Sequence, residues 1–360
     1  MDQIENMDWE SIPSPAESKK ELKKIRKNLR KRSTKTVVTS LILAAALLFG
    51  TVRFVVPAAE SLYWDPRTVS YGTVNGTDFD MLLAAYANLF CPTVDITGTN
   101  VTHNGFASYT LTLQCWDEIR GVVNDSYGTL EKGKLFIPNG IWEYAYGNQI
   151  GALWMDIPES NAANRKTIIA KLSQLPEYIQ VGACITFSED KTIHKTLDFF
   201  DEICNDNRKR VNQTGRYWMA IRHAEEMGNE ARCGISFSDT TSDYPEMSDS
   251  YPAFSPYHAY QELNYTFAAN SLYGPVYETH FKSTLQFLAD QLQAGTGIPA
   301  PTIPSGEANP NFYADTLSYV EENGIMVYGC YIVASPQELL KLMEREDVLM
   351  VYPMEGWLNI

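Results

Sequence analysis

The stretch Val37-Val-Thr-Ser-Leu-Ile-Leu-Ala-Ala-Ala-Leu-Leu-Phe-Gly-Thr-Val52 contains no charged residue and decides how the chain is organised. With its neighbours it extends over residues 36–56, a run of 21 residues that is followed by Pro57 and contains one charge, Arg53. About 20 residues of helix, rising about 1.5 Å each, cross the roughly 30 Å of hydrocarbon in a bilayer. The run therefore predicts a transmembrane helix, with Arg53 near one end, where its long side chain can reach the headgroups.

A strongly basic segment comes directly before this run. Residues 19–35 hold ten Lys and Arg and a single acid, Glu21. Because the cytoplasmic flanks of membrane helices carry the excess of positive charge, we expect the N-terminus in the cytoplasm and residues 57–360 on the other side. A cleaved signal peptide has a much shorter segment before its apolar core, and a buried core helix does not explain the ten preceding charges. The sequence predicts a single-pass protein of the cell membrane.

The net charge of −15 conceals two regions of opposite sign. Residues 1–56 hold 11 basic and 6 acidic residues, a net charge of +5, so residues 57–360 carry −20. Such an asymmetry indicates that the two regions face different environments. The 360 residues, of which 44% are hydrophobic, are enough for a large folded region with its own core.

The predicted cytoplasmic segment, residues 1–35, is acidic first and basic afterwards. Ser14, Pro15 and Glu17 have the spacing of a capping box with proline at the first helical position. This pattern predicts a helix that begins at Pro15 and continues into the membrane.

Four apolar residues of this segment are candidate partner-binding residues. Trp9 belongs to the acidic peptide of residues 1–10, which could order on a partner. Leu22, Ile25 and Leu29 recur at spacings of three and four, so a helix would place them in one narrow stripe among Lys and Arg. A basic collar resting on the lipid bilayer is the alternative function of this segment. Direct binding of nucleic acid is disfavoured, because no aromatic residues are interleaved with the basic ones.

The region beyond the apolar run shows alternating helix and strand patterns typical of an α+β fold. Helices are predicted over residues 78–90, with Asp78 as the N-cap, and over residues 195–204, 277–293, 311–323 and 336–346. Strands are predicted over residues 109–113, 133–137, 178–187, 217–221, 324–333 and 348–352. We expect an α+β extracytoplasmic region of two mixed domains, residues 57–155 and 156–360, on a single N-terminal transmembrane helix.

No motif in the chain points to catalysis. The five histidines have no zinc spacing, and the chain lacks a P-loop, a dinucleotide fingerprint and a nucleophile elbow. We therefore expect no enzyme activity and no catalytic, metal or cofactor site. The irregular stretches 238–260 and 294–310 are either binding loops or insertions without a role. The six cysteines all follow residue 90, where one or two disulfides are possible, although Cys184 and Cys330 fit buried thiols in apolar strands.

Several segments, taken in order, resemble the bacterial sigma factor regulator family. They are the basic run 19–35 abutting the apolar run, Tyr63-Trp-Asp-Pro66, the segment 78–92 followed by Gly105-Phe-Ala-Ser-Tyr109, and the segment 327–340. These segments are similar to the N-terminal and C-terminal sigma factor regulator domains of membrane-bound proteins, among them anti-sigma proteins paired with extracytoplasmic-function sigma factors.

The resemblance implies a membrane-anchored, anti-sigma-like regulator. Its cytoplasmic segment would restrain a sigma factor until the outer domain senses an envelope signal. Zinc-type anti-sigma domains carry H-x-x-x-C-x-x-C in a larger cytoplasmic module, whereas this chain has neither His nor Cys before residue 91. The sigma factor contact would thus use a short peptide and helix, or require another membrane regulator. The alternative function is an envelope enzyme or ligand-binding protein anchored by its N-terminus.

Overall fold

A computed structural model provides the structure of the chain. It describes residues 15–69, 77–92, 94–117, 122–136, 158–205, 218–225, 232–236, 250–254, 270–296, 298 and 309–353. The chain divides into two compact units, residues 1–62 and 63–360, and each is described by itself.

The first unit is helical throughout its described part. Helix α1 runs over Pro15–Gly50, a π-helical turn follows over Thr51–Val55, and α2 covers Val56–Glu60. The π-helical turn ends two residues before Pro57, whose ring has no N–H to donate and would clash with the carbonyl four residues earlier in a regular helix. The predicted helix start at Pro15 is confirmed, whereas its cap Ser14 lies outside the described residues.

The second unit contains an antiparallel sheet of four strands in sequence order. They are β1 (Val94–Gly105), β2 (Ser108–Asp117), β3 (Val122–Glu131) and β4 (Lys134–Phe136). The β3–β4 hairpin turns through Lys132 and Gly133, which both have positive φ, 49° and 78°. A two-residue turn of this kind matches the twist of the strands and favours glycine.

Helix α3 (Asp78–Phe90) packs on this sheet. In β2, Tyr109, Leu111 and Leu113 are buried on the helix side, and the residues between them face away from the core. The N-cap of α3 is Thr77, which forms a capping box with Asp80, so the prediction of Asp78 as the cap is wrong. Thr77 ends the preceding segment in extended backbone, whereas the carboxylate that completes the box comes from the helix's third residue.

A second sheet has five strands in the order β7-β6-β8-β5-β9, with every neighbouring pair antiparallel. The strands are β5 (Val181–Thr192), β6 (Trp218–Ile221), β7 (Cys233–Ser236), β8 (Met326–Ala334) and β9 (Val348–Pro353). The remaining helices are α4 (Pro158–Leu172), α5 (Ile193–Asn205), α6 (Asn270–Gln293), α7 (Phe312–Asn323) and α8 (Pro336–Met343).

Two βαβ units interleave in the second sheet. Strands β5 and β6, joined through α5, lie on either side of β8, while β8 and β9, joined through α8, lie on either side of β5. This is the split βαβ arrangement of ferredoxin-like sheets, with β7 added at one edge. Helices α6 and α7 are inserted between β7 and β8.

The structure confirms a mixed fold of helices and antiparallel sheets in the second unit. The buried residues of α3, of both sheets and of α5 to α8 form one hydrophobic core cluster. From α3, Phe90 stacks against Phe312 and Tyr313 of α7, with ring centroids 5.9 and 6.2 Å apart. The predicted domain boundary between residues 155 and 156 falls outside the described residues and stays a prediction.

Candidate membrane-anchoring and partner-binding segment

One helix among the described residues is long and apolar enough to cross a membrane. It spans Lys19–Glu60, and none of its most apolar stretch is buried within the protein. A soluble core helix of this length and composition would bury an apolar face. By length, composition and exposure, this helix could anchor the chain in a bilayer.

The threonine hydroxyls of this helix donate hydrogen bonds within it. The bonds run from Thr36 to the carbonyl of Arg32 (3.0 Å), from Thr39 to that of Lys35 (2.8 Å), and from Thr51 to that of Leu47 (2.9 Å). A hydroxyl in hydrocarbon has no water to donate to, and a hydrogen bond to the backbone one turn earlier removes that cost. These three polar residues are therefore compatible with a membrane span.

The basic part of α1 presents its apolar residues to solvent. Leu22, Ile25 and Leu29 are 55%, 53% and 60% exposed, although large apolar side chains are usually buried. At about 100° per residue, the three fall within an arc of about 60°. The structure thus places three of the four predicted partner-binding residues on one face, and Trp9 lies outside the described residues.

A row of four cations runs beside this apolar face. Lys19, Lys23, Arg26 and Arg30 follow one another at spacings of four, three and four, which puts them on a neighbouring strip of the helix. All four are exposed. We call Leu22, Ile25 and Leu29 the apolar stripe and these four residues the cation row. Together they suit a partner surface that is both apolar and acidic.

In the second unit, Asn88 of α3 makes hydrogen bonds with three other elements. Its Oδ1 accepts from the backbone N–H of Ser236 in β7 (3.0 Å), and its backbone carbonyl accepts from the indole N–H of Trp218 in β6 (3.1 Å). Its Nδ2 lies 3.2 Å from Nε2 of His280 in α6. The side-chain nitrogen of Asn can only donate, so Nε2 accepts and the other ring nitrogen, Nδ1, donates to the carbonyl of Ala253 (3.1 Å).

This arrangement requires a neutral His280. Burial lowers the pKa of the imidazole to about 4, and the backbone hydrogen bonds to Ala253 and Phe254 offset only part of that effect. A proton on Nε2 would face the N–H groups of Asn88. The sequence offered no signal for this group, because Asn88 and His280 are 192 positions apart.

An ion-pair network joins the second sheet to α5. Arg345 donates to both carboxylate oxygens of Asp347 (2.8 and 3.1 Å) and also pairs with Glu202 (2.9 Å). Lys191 of β5 donates to the same Asp347 carboxylate (2.9 Å). The hydrogen bonds from Arg345, and secondarily those from Lys191, lower the pKa of Asp347 to about 2. The Arg345 guanidinium also lies 4.9 Å from the centroid of the Phe199 ring.

A second cationic group surrounds Tyr328 of β8. The guanidinium groups of Arg222 and Arg232 each lie 5.7 Å from the centroid of its ring, and Arg222 also pairs with Asp190. Burial raises the pKa of the Tyr328 hydroxyl well above its usual range. Tyr328 and Arg232 are buried, whereas the Arg222–Asp190 pair is partly exposed at the end of the sheet.

The described part of the second unit holds no group of three or more His, Cys, Asp or Glu side chains placed to bind a metal ion. Five cysteines, Cys91, Cys115, Cys184, Cys233 and Cys330, are buried and form no disulfide. Burial raises the pKa of the Cys184 thiol to about 12, so it is not a reactive thiolate at neutral pH. Most of the irregular stretches 238–260 and 294–310 lies outside the described residues.

No known protein family, curated protein or solved structure matches this chain. The resemblance to sigma factor regulators therefore stays a prediction that rests on the segments quoted above.

Proposed function

We propose that this chain is a membrane-anchored, anti-sigma-like regulator that restrains an extracytoplasmic-function sigma factor in response to an envelope signal. One observation carries the proposal: continuous helical structure, formed by α1, the π-helical turn and α2, joins an apolar membrane-length run to a basic segment with an exposed apolar stripe. The same helix can therefore anchor the chain and present a binding face beside the membrane.

The charge distribution supports the orientation. Ten cations precede the apolar run, and the region after it carries −20. The positive-inside rule favours residues 1–35 in the cytoplasm, the apolar run across the cell membrane once, and residues 57–360 outside the cytoplasm. In this topology, only the short inner segment can meet a cytoplasmic partner.

The apolar stripe supports a protein partner. Removing a side chain such as Leu22, Ile25 or Leu29 from water stabilises a complex by about 1.5–3 kcal/mol when the side chain is fully buried. Such stripes, at spacings of three and four, are how amphipathic helices bind grooves in partner proteins. The lipid bilayer is the second partner, and another membrane regulator could complete the contact. Direct binding of nucleic acid is not part of the proposal.

The second unit supports a sensory role. It is a folded region with its own core, and among its described residues no cluster suits metal-dependent catalysis. The resemblance of several segments to sigma factor regulators is the reason that we propose a sigma factor as the partner. We infer that this unit receives the envelope signal and that the inner helix transmits it.

The test is co-purification of the full chain in detergent with the sigma factors of its own cell. We expect one sigma factor to co-purify with the chain. A triple variant in which Leu22, Ile25 and Leu29 are changed to Ala should retain at least tenfold less of that sigma factor. The matched control changes Lys20, Lys24 and Lys31 to Ala on the opposite side of the helix, which should retain the sigma factor. In cells, deletion of residues 1–35 should raise transcription from promoters of that sigma factor.

If no sigma factor is retained and deletion of residues 1–35 leaves transcription unchanged, the proposal is wrong. An envelope enzyme or ligand-binding protein with an N-terminal anchor would then be the better hypothesis.

A further inference from the structure

The exposed face of α1 is unusual in carrying an apolar stripe directly beside a cation row. Any apolar partner could bind the apolar stripe alone, and any anion could bind the cation row alone. A ligand that uses both must combine apolar side chains with carboxylates at short intervals.

The chain itself contains such a ligand. Residues 1–10, Met-Asp-Gln-Ile-Glu-Asn-Met-Asp-Trp-Glu, carry four acids and no basic side chain. Ile4, Met7 and Trp9 alternate with Asp2, Glu5, Asp8 and Glu10. This composition is complementary to the stripe and the row in charge and in hydrophobicity.

The connection is long enough. The stripe begins about 10 Å from the start of α1 at Pro15 and ends about 21 Å from it, at about 1.5 Å per residue. Ten residues of chain can span up to about 33 Å, and Ser11–Ser14 is available for the reversal. Tethering by so short a connection gives an effective concentration on the order of millimolar, so a weak contact would be well populated.

We propose that the acidic segment of residues 1–10 docks on the apolar stripe and cation row of α1 and competes there with the cytoplasmic partner. Only the regulatory consequence rests on the proposed function, because docking within the chain requires no sigma factor. An anionic bilayer also attracts the cation row and repels the acidic segment, so it competes with docking and belongs in the test.

The test measures a distance within the full chain. Cysteines introduced by Gln3→Cys and Asn28→Cys carry spin labels, and the label-to-label distances are measured in nanodiscs of mixed neutral and anionic lipid. The inner segment has no native cysteine, and Cys91, Cys115, Cys184, Cys233 and Cys330 are buried. The chain without added cysteines supplies the labelling background.

Docking predicts a narrow distance distribution centred below about 25 Å, whereas an undocked segment would give a broad one reaching about 40 Å or beyond. Changing Asp2, Glu5, Asp8 and Glu10 to the corresponding amides should broaden it. Raising the salt concentration should have the same effect, because exposed charge pairs are screened. The control neutralises four exposed acids elsewhere, Glu189, Glu321, Glu322 and Glu344, and should leave the distribution narrow.

A broad distribution in the unchanged inner segment, or a narrow one that survives loss of the four acids, overturns the inference. Sigma factor co-purification is a separate readout. If a sigma factor is retained but the distance distribution is broad, the docking proposal is wrong and the proposed function stands. If the distribution is narrow but no sigma factor is bound, the docking proposal stands and the proposed function is wrong. If both hold, neutralising the four acids should increase sigma factor retention several-fold.

Discussion

The side-chain amide of Asn88 donates to Nε2 of His280 at 3.2 Å, and burial keeps this imidazole in the neutral form that can accept the bond. The bond joins α3, which packs on the first sheet, to α6, which is inserted in the second. His280 also holds the segment of residues 250–254 through the Ala253 carbonyl. Protonation of Nε2 therefore opposes the contact between α3 and α6, whereas Nδ1 can still donate to the Ala253 carbonyl.

This relationship predicts a loss of stability in acid. The pKa of His280 is about 4 in the folded chain and about 6.5 when unfolded, so the unfolded state binds the proton first as the pH falls. The free energy of unfolding therefore begins to fall below about pH 6.5 and continues to fall down to about pH 4. The total loss is about 3 kcal/mol. Denaturant unfolding of the full chain in detergent, followed from pH 7 to pH 4, measures it.

The variant His280→Gln should be less stable at pH 7 and should lose less stability on acidification. His194, whose side chain is about half exposed, provides the matched control for a His→Gln change outside this buried group. Equal pH dependence in the wild type and His280→Gln would contradict the role given to this ring.

A second prediction concerns Gly234 in β7. A Cβ at this position would lie 2.1 Å from the carbonyl oxygen of Met219 and 2.4 Å from the Trp218 ring. Both belong to β6, and Trp218 is fully buried, so neither can move aside. We expect Gly234→Ala to destabilise the chain by about 3 kcal/mol or more, or to prevent folding.

Gly98→Ala is the comparison for that variant, because its Cβ would meet only the end of the Gln114 side chain, at 3.6 Å. Thermal unfolding of the two variants should differ by many degrees. Similar midpoints would mean that β6 and β7 do not pack as described.

The Asp347 network predicts a smaller loss of stability, at lower pH. Its pKa is lowered to about 2, so the pairs with Arg345 and Lys191 stabilise the fold above the unfolded value of about 3.8 and are lost as the pH falls toward 2. Because the Arg345 and Asp347 side chains are each about a third exposed, solvent weakens their interaction, and Asp347→Asn should cost about 1 kcal/mol at neutral pH.

High salt should reduce the cost of Asp347→Asn, and Asp65→Asn, which breaks an exposed pair with Arg67, should cost less. Denaturant midpoints at low and high salt provide the measurement. A cost that does not depend on salt would point to packing against Phe199 rather than to the charges.

Local patterns predicted much of this fold. The helix predicted over residues 336–346 is α8, which ends at Met343 and is capped by Ser335 and Glu338 through both hydrogen bonds of a capping box. The helices at 78–90 and 311–323 and the strands β6, β8 and β9 were predicted close to their observed bounds. In each, a strong periodicity lies between turn residues.

Other elements had no usable local signal. Strand β1 carries Asp95, Asn100 and His103 and few large apolar residues, because much of it is exposed, and it pairs along its length with β2. Strand β7 has four residues, all buried, and depends on β6 for its position. The Asn88–His280 pair depends on the tertiary fold alone. These features follow from long-range pairing, which composition and spacing do not encode.

The proposed topology is the claim on which the functional proposal depends, and cysteine labelling in intact cells tests it most directly. Asn28→Cys lies in the basic part of α1 and Glu322→Cys near the end of α7, and both positions are exposed. With a membrane-impermeant maleimide, the proposed topology predicts labelling at residue 322 in intact cells and at residue 28 only after lysis. Labelling at residue 28 in intact cells, or equal labelling at both positions only after lysis, would contradict it.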